Sequence, residues 1–123
     1  METYTLRMVT NRVLYIARAK NIQNLIKRAL KDKVDMQGVN LAGQDLSGLK
    51  LRNEFFIQAN FRDTNLEGAN FSGCWLRSSD FRGANLKGCN FTGCDLSGCD
   101  FTNTNLSEAI TTDAELGGAY ISK

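Results

Sequence analysis

The 123 residues carry a formal charge of only +2 and contain neither proline nor histidine. The missing histidine removes the commonest general base and the commonest metal ligand, and the length limits the chain to one domain. The charge is unevenly divided: residues 1–33 hold eight basic residues against Glu2 and Asp32, while residues 88–122 hold Asp95, Asp100, Glu108, Asp113 and Glu115 with no basic residue.

Residues 1–33 form the first unit. Residues 3–9 alternate weakly and read as a short strand or a tail, whereas from Asn11 to Lys31 Val13, Leu14, Ile16, Ala17, Ile22, Leu25, Ile26, Ala29 and Leu30 follow helical spacing. This predicts one or two basic amphipathic helices, with a break near Asn21. Such a segment would cap whatever follows. A transit peptide and a membrane or nucleic-acid contact are weaker readings, because the segment lacks serine and runs straight into the next unit. No run is long enough for a membrane span and no secretory signal is read.

From residue 34 onward every fifth side chain is a core hydrophobe, from Met36 and Leu41 through Phe61, Leu66, Phe71, Leu76 and Phe81 to Leu116 and Ile121, with Thr111 the one break. A period of five over 18 units fits neither a helix nor a simple strand and marks a repeat architecture. The residue two before this centre is small in 15 of 18 units, the exceptions being Gln44, Leu49 and Glu54, so two positions per pentad face inward. The residue before the centre is Asn or Asp in 12 of 18, and ten of eleven glycines sit two after it, which is turn chemistry. Four pentads then close one square coil, and 18 pentads give about 4.5 coils, a tower of roughly 22 Å at the usual strand spacing. Between Phe61 and Leu106 the centres alternate Phe and Leu. On four sides this predicts two facing Phe ladders, 61/81/101 and 71/91.

Segments such as residues 59–63, 69–73, 84–88, 89–93 and 94–98 follow the pattern A(D/N)LXX, with Cys89 and Cys94 in place of the alanine in the last two. The chain from 34 to 123 therefore resembles the pentapeptide-repeat family. The resemblance implies an all-β solenoid, a right-handed quadrilateral β-helix, here with residues 1–33 as its N-terminal α-helical cap. It also implies a class of partner: some members protect or inhibit DNA gyrase as DNA mimics. A type II topoisomerase contacting Asp95, Asp100, Glu108, Asp113 and Glu115 is thus the alternative to a general protein-interaction module.

Cys74, Cys89, Cys94 and Cys99 are spaced by multiples of five at the small inward position, so buried reduced thiols in a cytoplasmic protein are expected, with no metal and no cofactor. Only Cys74 and Cys94 would be near enough to bridge, and parallel Cβ vectors oppose it. Glu54, read as inward, would need a lysine or arginine from the cap.

The residues that the repeat leaves unexplained are the candidate sites. Phe55 and Trp75 fall four pentads apart at the outward position before the centre, so they stack on one side, flanked by Ile57 and Arg77. They either anchor a partner or lie beneath the N-terminal helix. At the far end Leu106, Ile110, Leu116, Ala119, Tyr120 and Ile121 gather on a coil with no covering helix in sight, which predicts a homodimer contact through Leu116, Tyr120 and Ile121. No phosphate loop, catalytic carboxylate pair or nucleophile with a base is identifiable. The expected function is non-catalytic: a rigid tower binding an as yet unknown protein through a flat side, with no direct nucleic-acid or membrane contact.

Overall fold

The computed structural model describes residues 1–122. Glu2–Met8 (β1) and Val13–Ala19 (β2) form an antiparallel hairpin, followed by the helix Ile22–Lys31 (α1). The turn between the strands closes with Met8 N–H donating to Arg12 O at 2.8 Å and Asn11 N–H to Met8 O at 2.8 Å. Asn11 takes a φ of 68° there, a left-handed conformation that asparagine tolerates well.

Residues 13–19 are thus strand, where apolar spacing predicted helix. Val13, Tyr15 and Ile16 are β-branched or aromatic residues that suit a pleated, half-buried surface, and pairing with β1 decides the outcome. Helical spacing is realised only from Ile22, where Asn21 accepts the N–H of Asn24 as an N-cap. Leu25, Ile26 and Ala29 on α1 are fully buried, as is Leu6 of β1. Gln23 Nε2 donates to Asp45 O and Ser47 O at 3.2 and 3.0 Å, and the Tyr15 hydroxyl donates to the Asp32 carboxylate. The hairpin is tied to the repeat by backbone as well: Arg7 and Met8 pair antiparallel with Asn40 and Val39 of the short strand β3 (Val39–Asn40).

Above β3 the chain winds with a period of four pentads. Parallel bridges join Asn40 to Asn60, Asn60 to Asp80 and Asp80 to Asp100, and the short strand β4 (Asp100–Phe101) pairs with β5 (Tyr120–Ile121). The other sides are laddered alike, as in Asp45 to Asn65 to Asn85 and Lys50 to Asn70 to Asn90. Each coil therefore has four sides, centred on residues such as Phe56, Phe61, Leu66 and Phe71. We name these the first to fourth side.

Sixteen pentads turn at their last residue. Ten glycines there, among them Gly38, Gly73 and Gly93, have φ between 68 and 75°, and Asn53, Gln58, Asp63, Ser78, Asn103 and Asp113 take the same conformation at φ near 60°. The Asn or Asp before the centre bonds its own turn: at eleven positions, including Asn60, Asn70, Asn90 and Asp100, the side-chain Oδ1 accepts the N–H two residues on at 2.9–3.1 Å. The regular pattern lapses at Leu106–Glu108, a short 3-10 turn on the third side.

The two Phe ladders are present. Phe61, Phe81 and Phe101 stack with centroids 4.9 and 5.2 Å apart, and Phe71 and Phe91 stack at 5.8 Å. The ladders meet edge to face across the core, Phe61 against Phe71 and Phe81 against Phe91, both at 5.6 Å. Both arrangements are favoured by the ring quadrupole. Centre residues are fully buried through Phe101, so the core is one column reaching down to Leu25 and Ile26.

The small inward residues do more than fit. Ser79 Oγ donates to Phe56 O at 2.7 Å, Cys94 Sγ to Phe71 O at 2.8 Å, Cys99 Sγ to Leu76 O at 2.9 Å, and the Cys74 thiol to Leu51 O. Each links its coil to a carbonyl of the coil before it. All four cysteines are free and buried. Burial is the chief cause pushing the Cys74 and Cys99 thiols up to about 12 and Cys94 to about 11, with Cys89 higher still.

Candidate functional site

On the first side the position before the centre reads Asp35, Phe55, Trp75, Asp95 and Glu115 up the tower. Phe55 and Trp75 are bridged residue to residue, with Phe56 N–H donating to Trp75 O at 2.8 Å and Trp75 N–H to Glu54 O at 2.9 Å. This fixes the side chains one above the other, rings stacked at 4.4 Å with planes 11° apart. They remain in solvent at 56 % and 41 % exposure, so α1 does not cover them. That helix is held instead against Asp45 and Ser47 of the third side.

Ile57 lies half-buried beside Phe55, and Arg77 projects beside Trp75. Arg77 is not a free cation. Its Nη2 lies 2.9 Å from Asp95 Oδ2 and its Nε donates to the same oxygen at 3.1 Å. Hydrogen bonds from Ser97, together with the Arg77 guanidinium, hold the Asp95 carboxyl below the usual carboxylate range. The four residues Phe55, Ile57, Trp75 and Arg77 thus form one continuous patch, with the guanidinium anchored over its upper edge.

The aromatics have a local cost. Wherever the position carries the usual Asn or Asp and the regular turn, the side chain accepts the N–H two residues on. Phe55 and Trp75 cannot, and among the described residues neither Ile57 N–H nor Arg77 N–H finds an acceptor. Two such bonds are forgone, at about 1 kcal/mol each.

The irregular trio below the patch resolves differently from expectation. Leu49 is fully buried, while Gln44 points out into solvent. Glu54 is only half-buried and has no ion pair with the N-terminal unit among the described residues. Partial exposure removes the need for the basic partner that a fully inward carboxylate would require. Its N–H faces Cys74 Sγ at 3.4 Å.

The acidic residues do not share a face. Asp95 and Glu115 stand on the first side, Asp100 on the second, and Glu108 and Asp113 at the turns ending the third and fourth sides. Asp95 is matched by Arg77, and Asp100 lies 3.6 Å from Arg82 Nε, whose guanidinium also grips Asp80 at 2.7 Å. At the last coil Leu116 is half-buried, whereas Ile110, Tyr120 and Ile121 are exposed. No three His, Cys, Asp or Glu side chains converge as a metal site would require, and no pocket opens, among the described residues. No helix there is long and apolar enough to cross a membrane.

A four-sided coil with left-handed pentad ends, Asx-bonded sides and stacked centres defines a pentapeptide-repeat β-helix. The family model described as a pentapeptide repeat region matches residues 34–110, and the chain belongs to that family. Among solved structures it is similar to a pentapeptide repeat protein (Rfr23) from the cyanobacterium Cyanothece 51142, with 31 % identity and a TM-score of 0.65 over 68 % of this chain and 57 % of that one. A pentapeptide repeat protein from Nostoc PCC 7120 shares the fold at 23 % identity and a TM-score of 0.64, covering 78 % of this chain and 75 % of its own. One from the thylakoid lumen of Arabidopsis thaliana aligns at 32 % identity and a TM-score of 0.48, over 65 % of this chain and 59 % of that one. This chain thus spans less than two thirds of the Cyanothece and plant proteins. No curated protein matches it.

Proposed function

We propose that the protein is a non-catalytic interaction module that binds a protein partner through its first side, with Phe55 and Trp75 as anchors and Ile57 and Arg77 as flanks. The carrying observation is the exchange at those two positions: turn-bonding Asn or Asp is given up for a stacked aromatic pair left in water. A repeat that breaks its own local rule on one side in consecutive coils, with no gain to the core, points to a use outside the fold. Large exposed aromatics beside an anchored arginine are the residues that dominate interface energetics.

The test is capture from a lysate of the source organism, comparing wild type with the Phe55→Asn, Trp75→Asn double variant. Loss of specific partners from the variant is the expected result, and identical partner sets would overturn the proposal. A DNA-mimicking role at a type II topoisomerase has less support, because the acidic residues ring the upper coils and two of them are matched by arginine. Altered gyrase supercoiling at micromolar protein would restore it.

In the same reading the 18 pentads make about 4.5 coils, residues 1–33 cap the base, and the buried thiols suit a reducing, cytoplasmic setting. Half-buried Leu116 and exposed Tyr120 and Ile121, with Ile110 exposed on the same coil, are the surface through which two copies would pair. Sedimentation of an Ile121→Glu variant tests this, with a mass lower than wild type expected.

A further inference from the structure

The hairpin leaves one sheet edge open. The strand order β2-β1-β3 places β2 at the base of the sheet that continues through Asn60, Asp80 and Asp100 to Tyr120. Among the described residues, the one backbone group between Val13 and Ala19 that meets a side chain is Arg18 O, which accepts from Arg28 Nη1 at 2.8 Å. Natural edges are usually blunted by proline, bulges or charged side chains, lysine above all, and the charges here, Arg18 and Lys20, oppose a basic strand but not an acidic one. Here the register shift opposite Leu6 and Arg7 puts an extra residue at Leu14, which protects the start of the strand, but residues 15–19 run straight and pair in unbroken register with residues 2–6. The outer face carries Ile16 at 56 % exposure and Arg18, with exposed Lys20 next in phase.

Charge decides what can pair there. Residues 1–20 include Arg7, Arg12, Arg18 and Lys20 against Glu2 alone. A second copy joining β2 to β2 about Ile16 would set Arg12 opposite Lys20, and one joining about Ala17, the middle of the straight segment, would set the two Arg18 side chains diagonal to each other; like charges at such neighbouring positions are destabilising. An acidic strand has the reverse relation: two carboxylates opposite Arg18 and Lys20, and a β-branched residue opposite Ile16. We propose that the β2 edge is a strand-addition site for an extended acidic segment of a partner protein, entering antiparallel with the pattern Glu-x-Glu-x-Val. Main-chain bonds would supply affinity, and the alternate side chains would supply selection. This site is separate from the Phe55/Trp75 patch.

The probe is the fluorescein-labelled peptide Thr-Glu-Thr-Glu-Thr-Val-Thr, followed by anisotropy on the whole chain, with a Lys-for-Glu peptide as control. Saturable binding of the acidic peptide alone is expected, weakened about tenfold or more by Arg18→Glu with Lys20→Glu. The Phe55→Asn, Trp75→Asn variant is expected to bind it as wild type does. Amide exchange should slow within residues 15–19 on binding. Equal binding of the basic peptide, indifference to the charge reversal, or protection elsewhere would overturn the proposal. So would binding of duplex DNA or anionic vesicles where the peptide does not bind.

Discussion

The molecule contains two kinds of aromatic stack built by one rule. Phe61 and Phe81 face each other at 4.9 Å inside the tower, and Phe55 and Trp75 do so at 4.4 Å on its outer surface. Both pairs are separated by four pentads and both are held by a parallel backbone ladder, so spacing and geometry do not distinguish them. Surroundings do. The inner pair is fully buried and meets the opposite ladder edge to face; the outer pair is wet on its edges and displaces turn-bonding side chains. The same repeat therefore yields stability where the centre points in, and where its neighbour points out it presents the surface proposed above for recognition.

The sharpest break in this comparison is expected from Phe81→Ala. Removing a central rung leaves a cavity that neighbouring coils cannot fill, at about 3–5 kcal/mol, read as a fall in the urea midpoint. Next comes alkali. Burial raises the folded pKa of Cys74 and Cys99 to about 12 and of Cys94 to about 11, above the ordinary thiol value of 9.0. The sign follows: the folded state holds these protons more tightly, so stability is intact below pH 9 and declines as pH rises toward the folded values. A urea series from pH 8 to 11 should show a loss that shrinks when Cys74, Cys94 and Cys99 are replaced by alanine. The smallest of the three is Asn90→Ala. Asn90 Oδ1 accepts from Thr92 N–H at 2.9 Å and Thr92 Oγ1 at 2.6 Å on a half-buried turn, and its loss is worth about 1 kcal/mol by the same measurement.

The repeat is legible in the sequence because each of its physical demands leaves a residue-type signature at a fixed phase. Large centres, small inward neighbours, Asn or Asp at the turn and glycine at positive φ are all visible without coordinates. The ladder of Phe61, Phe81 and Phe101 and the Phe55/Trp75 stack follow from phase alone. The hairpin is not legible. Residues 13–17 carry apolar side chains compatible with either a helix or a strand, and the choice rests on pairing of β1 with both β2 and β3, a contact between distant segments that periodicity does not encode. Glu54 departs from its phase for a related reason: the pattern assigns it inward, but a long side chain at that position escapes to partial exposure. The pairing of Arg77 with Asp95 joins neighbouring coils and does not emerge from the pentad pattern, although the four-pentad period places the two close together.

The claim that the outer stack serves recognition is tested most directly by the unfolding free energy of the Phe55→Asn, Trp75→Asn double variant. The stacking is worth about 0.5–1.5 kcal/mol beyond the area it buries, the covered parts of the two half-exposed rings add to it at about 25 cal/mol per Å², and the two restored turn bonds offset these at about 1 kcal/mol each. A free energy within about 1 kcal/mol of wild type is therefore predicted. A loss of about 3 kcal/mol or more, matching the roughly 3–5 kcal/mol expected for Phe81→Ala, would show that the outer stack is part of the scaffold and contradict the account.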